Sequence, residues 1–318
     1  MTSLVSIIMP AFNAGPWIEE SLRSATAQTH PLIEILVIDD GSTDDTLARA
    51  RRFAAHTARD VQVHTQPNAG AAAARNHGLR LARGEFIQFL DADDLLAPDK
   101  IACQFGPLLA AGPDALASGT WGRFHDAPAD TFWPDETVAR ATTGVEFLQL
   151  HYETNTMMQP GAWLAPRALL DRVGPWDETL SLNDDGEYFA RVMLAASRLV
   201  PVPAARCHYR SAGPGSLSRR RDARALASLH RSVELTVAHL LAADRSPRTL
   251  AAVNLGWRRT AFDLYPDATP LARRARQAAA ATGGPDTPIG GPGWVQQVAR
   301  LTGWSFARRL QLLRASLR

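Results

Sequence analysis

The stretch Ile33-Glu34-Ile35-Leu36-Val37-Ile38-Asp39-Asp40-Gly41-Ser42-Thr43-Asp44-Asp45 decides the fold. A β-branched apolar run stops at an acidic, glycine-containing turn. Ser42 and Asp45 then stand in capping-box register, so Ser42 is expected to cap a helix and Asp45 to answer it. Three further runs have strand length and content: Val5-Ser6-Ile7-Ile8-Met9, Val61-Gln62-Val63-His64 and Phe86-Ile87-Gln88-Phe89-Leu90. Helical patterns separate them, one opening at Gly15-Pro16-Trp17 with proline in its first turn. Strand, helix, strand in repetition predicts an α/β fold with a parallel sheet.

Ligands of such sheets lie outside the carboxyl ends of the strands. There the chain places Pro10-Ala11-Phe12-Asn13, Asp39-Asp40-Gly41-Ser42 and Asp91-Ala92-Asp93-Asp94. Turn preference explains any one of these clusters. Five carboxylates on one edge need more, because uncompensated they repel and their pKa values rise. A divalent cation or cationic partners would relieve them, and oxygen ligands with phosphates and water are what Mg²⁺ or Mn²⁺ prefers.

Farther along, Asp114 to Gly122 reads as a fifth strand, 125–137 as a loop, and Ala162-Trp163-Leu164 as a short strand entering a helix at Pro166. Asn183-Asp184-Asp185-Gly186-Glu187-Tyr188-Phe189-Ala190-Arg191 opens a helix to about Ser197. Acids in its first turn suit the helix dipole, which is also the plain structural reading of Asp184, Asp185 and Glu187. Residues 211–218 form a Gly, Ser and Pro loop, 222–282 read as Ala-, Leu- and Arg-rich helices, and a last helix is expected from about Trp294 to Leu317.

Composition bounds the rest. At 318 residues the chain suits one large or two modest domains, at roughly 150 residues each. With 46% hydrophobic and 21% charged residues it is a globular chain, not a disordered or multi-span one. Cys103 and Cys207 form no CxxC, which excludes a disulfide scaffold and a zinc ribbon, and both read as buried. The apolar run Leu4 to Met9 is too short for a secretory signal, no stretch suffices to span a membrane, and the expected location is the cytoplasm. Residues 1–218 carry 17 basic and 26 acidic residues, net −9, whereas 219–318 carry 17 and 6, net +11. The domain boundary is set there.

In order along the chain, Val5 to Asn13, Val37 to Asp44, Asn68-Ala69-Gly70 with Ala74-Arg75-Asn76-His77-Gly78, Phe89 to Asp94, Val173-Gly174-Pro175-Trp176-Asp177-Glu178 and Asp184 to Arg191 resemble the family 2 inverting glycosyltransferases of GT-A fold. The resemblance covers about 3–218. It implies a GT-A nucleotide-binding sheet with flanking helices over 1–218, followed by a basic helical C-terminal region over 219–318. It also implies a nucleotide diphosphate-sugar donor, a Mg²⁺ or Mn²⁺ ion, and transfer of one sugar to a saccharide or lipid-linked acceptor in polysaccharide biosynthesis. UDP is the first expectation for the donor nucleotide.

By the same resemblance, Pro10, Phe12 and Asn13 line the base and ribose pocket, and Asp40, secondarily Asp39, accepts a hydrogen bond from the base. Arg75 lies near the base or diphosphate, Asp91 faces the ribose, Asp93 holds the metal and Asp185 is the general base. Asp184 stands where the family has Glu; aligning on Tyr188, Phe189 and Arg191 puts Asp185 at the base position, with Asp184 as the fallback. Tyr209-Arg210 and Gly213 to Ser218 resemble a segment that closes over the diphosphate, or else form an interdomain linker. His208 is either a further metal ligand or structural. Trp121, Trp133, Trp163 and Trp176 fall in the acceptor-facing part, and tryptophan serves sugar rings and cores alike. Gln297-Val298-Ala299-Arg300 lacks the tryptophan of the processive synthases, so transfer is expected to be non-processive.

The C-terminal helix has two readings: a peripheral anchor on the inner face of an anionic membrane, or a helix packed on the helical region. A nucleotide-sugar binding protein without turnover is the alternative to an enzyme. Nucleic-acid binding by the +11 segment is set aside for want of interleaved aromatics or a motif.

Overall fold

The computed structural model describes residues 3–134, 140–157, 159–211 and 220–316. By its contacts the chain forms two compact units: 1–147, 157–179 and 188–214 in the first, and 148–156, 180–187 and 215–318 in the second. Two interior segments thus group with the C-terminal helices.

The first unit is built on one sheet of β1 (Val5–Ala11), β2 (Ile33–Asp39), β3 (Asp60–Thr65), β4 (Phe86–Phe89), β5 (Leu95–Leu96), β6 (Ala115–Phe124), β7 (Trp163–Pro166) and β8 (Arg198–Arg210). The order is β3-β2-β1-β4-β7-β6-β8-β5. β1 lies parallel to β2 and β4, and β2 parallel to β3, as expected of the first hundred residues. The rest is mixed, with β7 antiparallel to β4 and β6, β6 parallel to β8, and β5 antiparallel to β8. Every residue of β1 and β2 is buried. That is why their sequences are continuous apolar runs and not alternating ones. Because β2 lies on one flank of β1 and β4 on the other, the strand order reverses at β1, the place where sheets of this kind take ligands outside the strand ends.

Helices α1 (Ile18–Thr26), α2 (Thr46–His56), α3 (Ala71–Leu81), α4 (Lys100–Ala111) and α6 (Arg167–Val173) belong to the first unit, while α5 (Gly144–Thr154) and α7 (Asp184–Ala195) contribute residues to both. α3 lies so close to β1 that a Cβ on Gly78 would stand 2.4 Å from Ile8 Cγ2, so only glycine fits that turn of the helix. Its neighbours on α3 include Arg75 and Asn76, which the contact fixes over the strand ends. Gly41 has φ +73°, the left-handed conformation that turns the chain sharply after Asp40.

The second unit holds α8 (Ala223–Ala243), α9 (Pro247–Leu264), α10 (Thr269–Ala281), α11 (Gly293–Thr302) and α12 (Trp304–Ser316). Asp222 and Ser246 cap α8 and α9 by accepting from Ala225 N and Thr249 N. The single last helix expected from the sequence is two, because Gly303 adopts φ +87° and ends α11. Phe262, Val295 and Ala307 form a small core there, with Trp294 and Trp304 against it. No helix among the described residues is long and apolar enough to cross a membrane.

Three local expectations fail. Ser42 does not cap α2: its Oγ accepts from Asn13 N at 3.0 Å, and Asp44 Oδ1 accepts from Thr46 N at 2.9 Å instead. Cys103 is half-buried, Cys207 alone being fully buried, and both are free thiols. β8 was not foreseen as a strand. Pro201, Pro203 and Arg206 break its pattern, and its pairing with β6 and β5 decides its form.

Candidate functional site

The loop after β1 carries Phe12, with 46% of its surface exposed, and Asn13, held at φ +50°. Asn13 Oδ1 accepts from Thr43 N at 2.8 Å and Asp44 N at 3.4 Å, which ties this loop to the one after β2. Pro10 is buried within β1 beneath them.

The two acids that end β2 are in opposite situations. Asp40 Oδ1 accepts from Gln66 Nε2 at 2.8 Å and Ala69 N at 2.9 Å; its Oδ2 accepts from Asn68 Nδ2 at 3.1 Å and Gly70 N at 2.8 Å. Its lone pairs are spent on the 66–70 turn that leads into α3. Asp40 therefore braces that turn, and a bond to a base would be additional to these four. Asp39 Oδ2 accepts from Ser42 N at 3.3 Å, while its Oδ1 is buried with no hydrogen-bond partner. A buried carboxylate oxygen left unpaired is costly, and this one sits at the strand edge where a donor group of a ligand would satisfy it.

Arg75 is 5% exposed and donates to Asp91 Oδ1 at 2.8 Å, its guanidinium lying 4.5 Å from the Trp176 ring centroid. Trp176 in turn stacks on Tyr188 at 4.0 Å and 10°. Asn76 clamps that segment by donating to Trp176 O and Glu178 Oε1 and accepting from Trp176 N. Sequence reasoning did not assign Asn76 this role; its place one residue from Arg75 was the available signal.

The turn after β4 crowds three acids. Burial, then the charge of Asp91, pushes Asp93 up to about 6, with Arg210 opposing. Burial, then Asp93 and Asp91, pushes the fully buried Asp94 well above the carboxylate range. Arg210 answers this excess: its backbone N donates to Asp94 Oδ1 at 2.8 Å, its Nε to Asp93 O at 2.9 Å, and its guanidinium to Glu20 Oε2 at 2.5 Å. Asp94 Oδ2 has no hydrogen-bond partner. No cluster of three or more His, Cys, Asp or Glu able to hold a metal occurs among the described residues. The oxygen donors on this turn fit a hard divalent ion only if phosphate oxygens and water complete its shell.

His208 is not aimed at such an ion through Nδ1, which pairs with Thr131 Oγ1 at 2.7 Å; burial, then Arg206, keeps its pKa low. Trp121, Trp163 and Trp176 are each 2% exposed, so they are core residues; Trp133 is half-buried. The expected closing segment Gly213 to Ser218 lies outside the described residues. Of two concavities, one of about 460 Å³ lies at the start of β4 around Phe86, Leu108 and Arg167, and one of about 340 Å³ lies beside α1 around Glu20, Ser24, Leu95 and His208, next to the Glu20–Arg210 pair.

Asp185 belongs to the second unit. Of the three acids opening α7, Asp184 and Glu187 are buried, at 7% and 3% exposure, and Asp185 is half-buried with Oδ1 accepting from Gly186 N at 2.9 Å. His239 Nε2 of α8 stands 3.5 Å from Glu187 Oε1. The turn before α7 is pinned to α8: Ser228 Oγ accepts from Ser181 N and Leu182 N, and Ser232 Oγ accepts from Asn183 Nδ2 and donates to Asn183 O. The position of Asp185 thus depends on serines of a region where the sequence offered only composition.

The family model described as glycosyl transferase family 2 matches residues 6–174. An uncharacterized glycosyltransferase of Haemophilus influenzae is 41% identical over 106 residues, 33% of this chain and 42% of that protein. The chain therefore spans less than half the length of this relative. Among solved structures, Staphylococcus aureus TarS 1–349 in complex with UDP-GlcNAc superposes with a TM-score of 0.70 at 20% identity, covering 87% of this chain and 81% of that one. The mannosyltransferase PcManGT of Pyrobaculum calidifontis in complex with GDP-Man and Mn²⁺ gives 0.59 at 24% identity, covering 99% and 85%. The fold is that of the GT-A glycosyltransferases.

Proposed function

Because the chain belongs to glycosyl transferase family 2, we propose that it transfers one sugar from a nucleotide diphosphate-sugar, UDP-linked first, to a hydroxyl of a saccharide or lipid-linked saccharide, with inversion. The observation that carries this reading is the set of groups at the ends of β1, β2 and β4: the exposed Phe12 ring, the unpaired Asp39 Oδ1, the Arg75–Asp91 pair and the desolvated Asp93. The TarS complex with UDP-GlcNAc and the PcManGT complex with GDP-Man support the donor class.

In this reading Phe12 offers its face to the base, with Pro10 and Asn13 shaping the wall. Asp39 Oδ1 accepts the base N–H that its burial leaves it lacking. Asp91, held by Arg75, accepts from the ribose. Asp93 would hold Mg²⁺ or Mn²⁺ together with diphosphate oxygens, an assignment in keeping with the Mn²⁺ of PcManGT; that ion would neutralise the charge left on the departing diphosphate. Asp185 takes the proton of the acceptor hydroxyl as its oxygen attacks the anomeric carbon. The bond from that carbon to the diphosphate breaks on the opposite face, and its electron pair leaves with the diphosphate. A positioned base of this kind contributes about 100- to 10,000-fold.

The test is release of nucleoside diphosphate from UDP-, GDP- and dTDP-sugars, with and without Mn²⁺. We expect release from one of them, dependent on metal and faster with a saccharide acceptor. Nucleotide-sugar binding with no release under any condition would leave the turnover-free binding protein as the answer.

A further inference from the structure

α12 (Trp304–Ser316) buries an arginine and leaves apolar side chains in solvent. The ridge turned into the second unit is Trp304, Ala307, Arg308 and Gln311, and Arg308 there is 7% exposed, donating to Tyr265 O at 3.3 Å and Gln311 Oε1 at 2.9 Å and lying 4.9 Å from the Phe262 ring centroid. The opposite ridge, at the same helical spacing, is Phe306, Arg309, Leu310 and Leu313, with Phe306 53%, Leu310 37% and Leu313 59% exposed. Leu301, at the end of α11, is 87% exposed. A helix that served packing alone would bury this stripe and show Arg308 and Gln311 to water. Exposed apolar side chains gathered in one place mark a contact surface.

The charges around the stripe select its partner. Arg300, Arg309 and Arg314 are all exposed, and no Asp or Glu occurs from 287 to 318. Arg309 and Arg314 lie over the rings of Tyr265 and Trp294, at 5.4 and 5.2 Å, so each is held beside the stripe. A second copy seated on this face would bring like charges together, since a two-fold interface sets the same patch against itself. We propose that the α11–α12 face of Leu301, Phe306 and Leu310 with Arg300, Arg309 and Arg314 docks on an anionic lipid surface, the apolar side chains entering the acyl boundary and the arginines meeting headgroups. This inference does not depend on the transferase reading.

Sedimentation of the full chain with phosphatidylcholine vesicles, with and without phosphatidylglycerol, tests it. We expect partition onto the anionic vesicles to exceed that onto neutral ones by about tenfold or more and to fall at high salt. Phe306→Ser with Leu310→Ser, and separately Arg300→Gln with Arg309→Gln and Arg314→Gln, should each lower it about tenfold while the thermal melting curve is kept. Failure of the unaltered chain to pellet with anionic vesicles, pelleting of both variants as complete as that of the unaltered chain, or a dimer in sedimentation velocity that the apolar variant abolishes would each overturn the proposal. None of these readings involves sugar transfer, so the proposed activity stands or falls apart from it.

Discussion

Two groups of carboxylates, one at the strand ends of the first unit and one opening α7 in the second, solve the same electrostatic problem differently. At the strand ends the acids are sorted by their partners: Asp40 has four donors, Asp91 has Arg75, Asp94 has the Arg210 backbone, and Asp39 keeps one buried oxygen unpaired. At α7 they are sorted by exposure, with Asp184 and Glu187 buried and Asp185 reaching solvent. The lesson is that an acidic motif does not act as a unit. Its members divide into those whose oxygens are used up in building the turn and those that keep an oxygen short of donors or nearer solvent, and counting lone pairs and exposed surface tells which is which.

The largest effect should come from Asp185→Asn, an expected loss of at least about 100-fold in kcat with little change in nucleotide affinity. Asp184→Asn should instead lower the melting temperature. If Asp184→Asn takes away turnover and Asp185→Asn does not, exposure has sorted the α7 acids wrongly, and the contrast with the strand ends collapses.

Next in size, Asp93→Ala should abolish the gain in nucleotide affinity that Mn²⁺ brings, measured by calorimetry with and without the ion. A metal response that persists would assign the ion to another ligand. Within β2 the split is finer. Asp39→Asn should weaken UDP binding roughly 10- to 100-fold, the value of one hydrogen bond to a charged group, with unfolding unchanged. Asp40→Asn should cost stability on the order of 2 kcal/mol, because an amide nitrogen would face N–H donors on the 66–70 turn. A reversed pair of outcomes would return the base to Asp40.

The parallel half of the sheet and the acids at its edge were legible because both are local. Each of β1, β2 and β4 is a run of neighbours in sequence, and an acid after such a run is at the edge by construction. What was illegible depends on partners far along the chain. The donors to Asp40 come from residues 26 to 30 positions later, and β8 reads as a strand only when β6 lies beside it. The α7 turn is anchored by Ser228 and Ser232, 46 to 49 positions away. The break at Gly303 was within reach, since glycine after an apolar turn is a common helix end; the apolar pattern on either side masked it.

The one lysine of the chain is a buried amine whose hydrogen bonds go to an amide oxygen and a carbonyl oxygen, not to any of these carboxylates. Lys100 is fully buried, with its Nζ donating to Gln88 Oε1 and to Trp163 O at 3.2 Å, and burial lowers its pKa to about 7, the Cys207 thiol opposing. In the unfolded chain the amine titrates near about 10.4. Between these values the unfolded state holds the extra proton, so stability rises with pH from about 7 upward. Tyr209 and Cys207, both pushed up to about 12 chiefly by burial, act in the reverse sense at high pH. The difference between the native chain and Lys100→Met cancels them. Urea unfolding at several pH values should show the native chain gaining on the variant as pH rises from about 7 to 10, by an amount on the order of a few kcal/mol at most. Equal slopes would mean that Lys100 keeps its proton in the fold through a partner the carboxylate accounting has missed, and the sorting of the strand-end acids would have to include it.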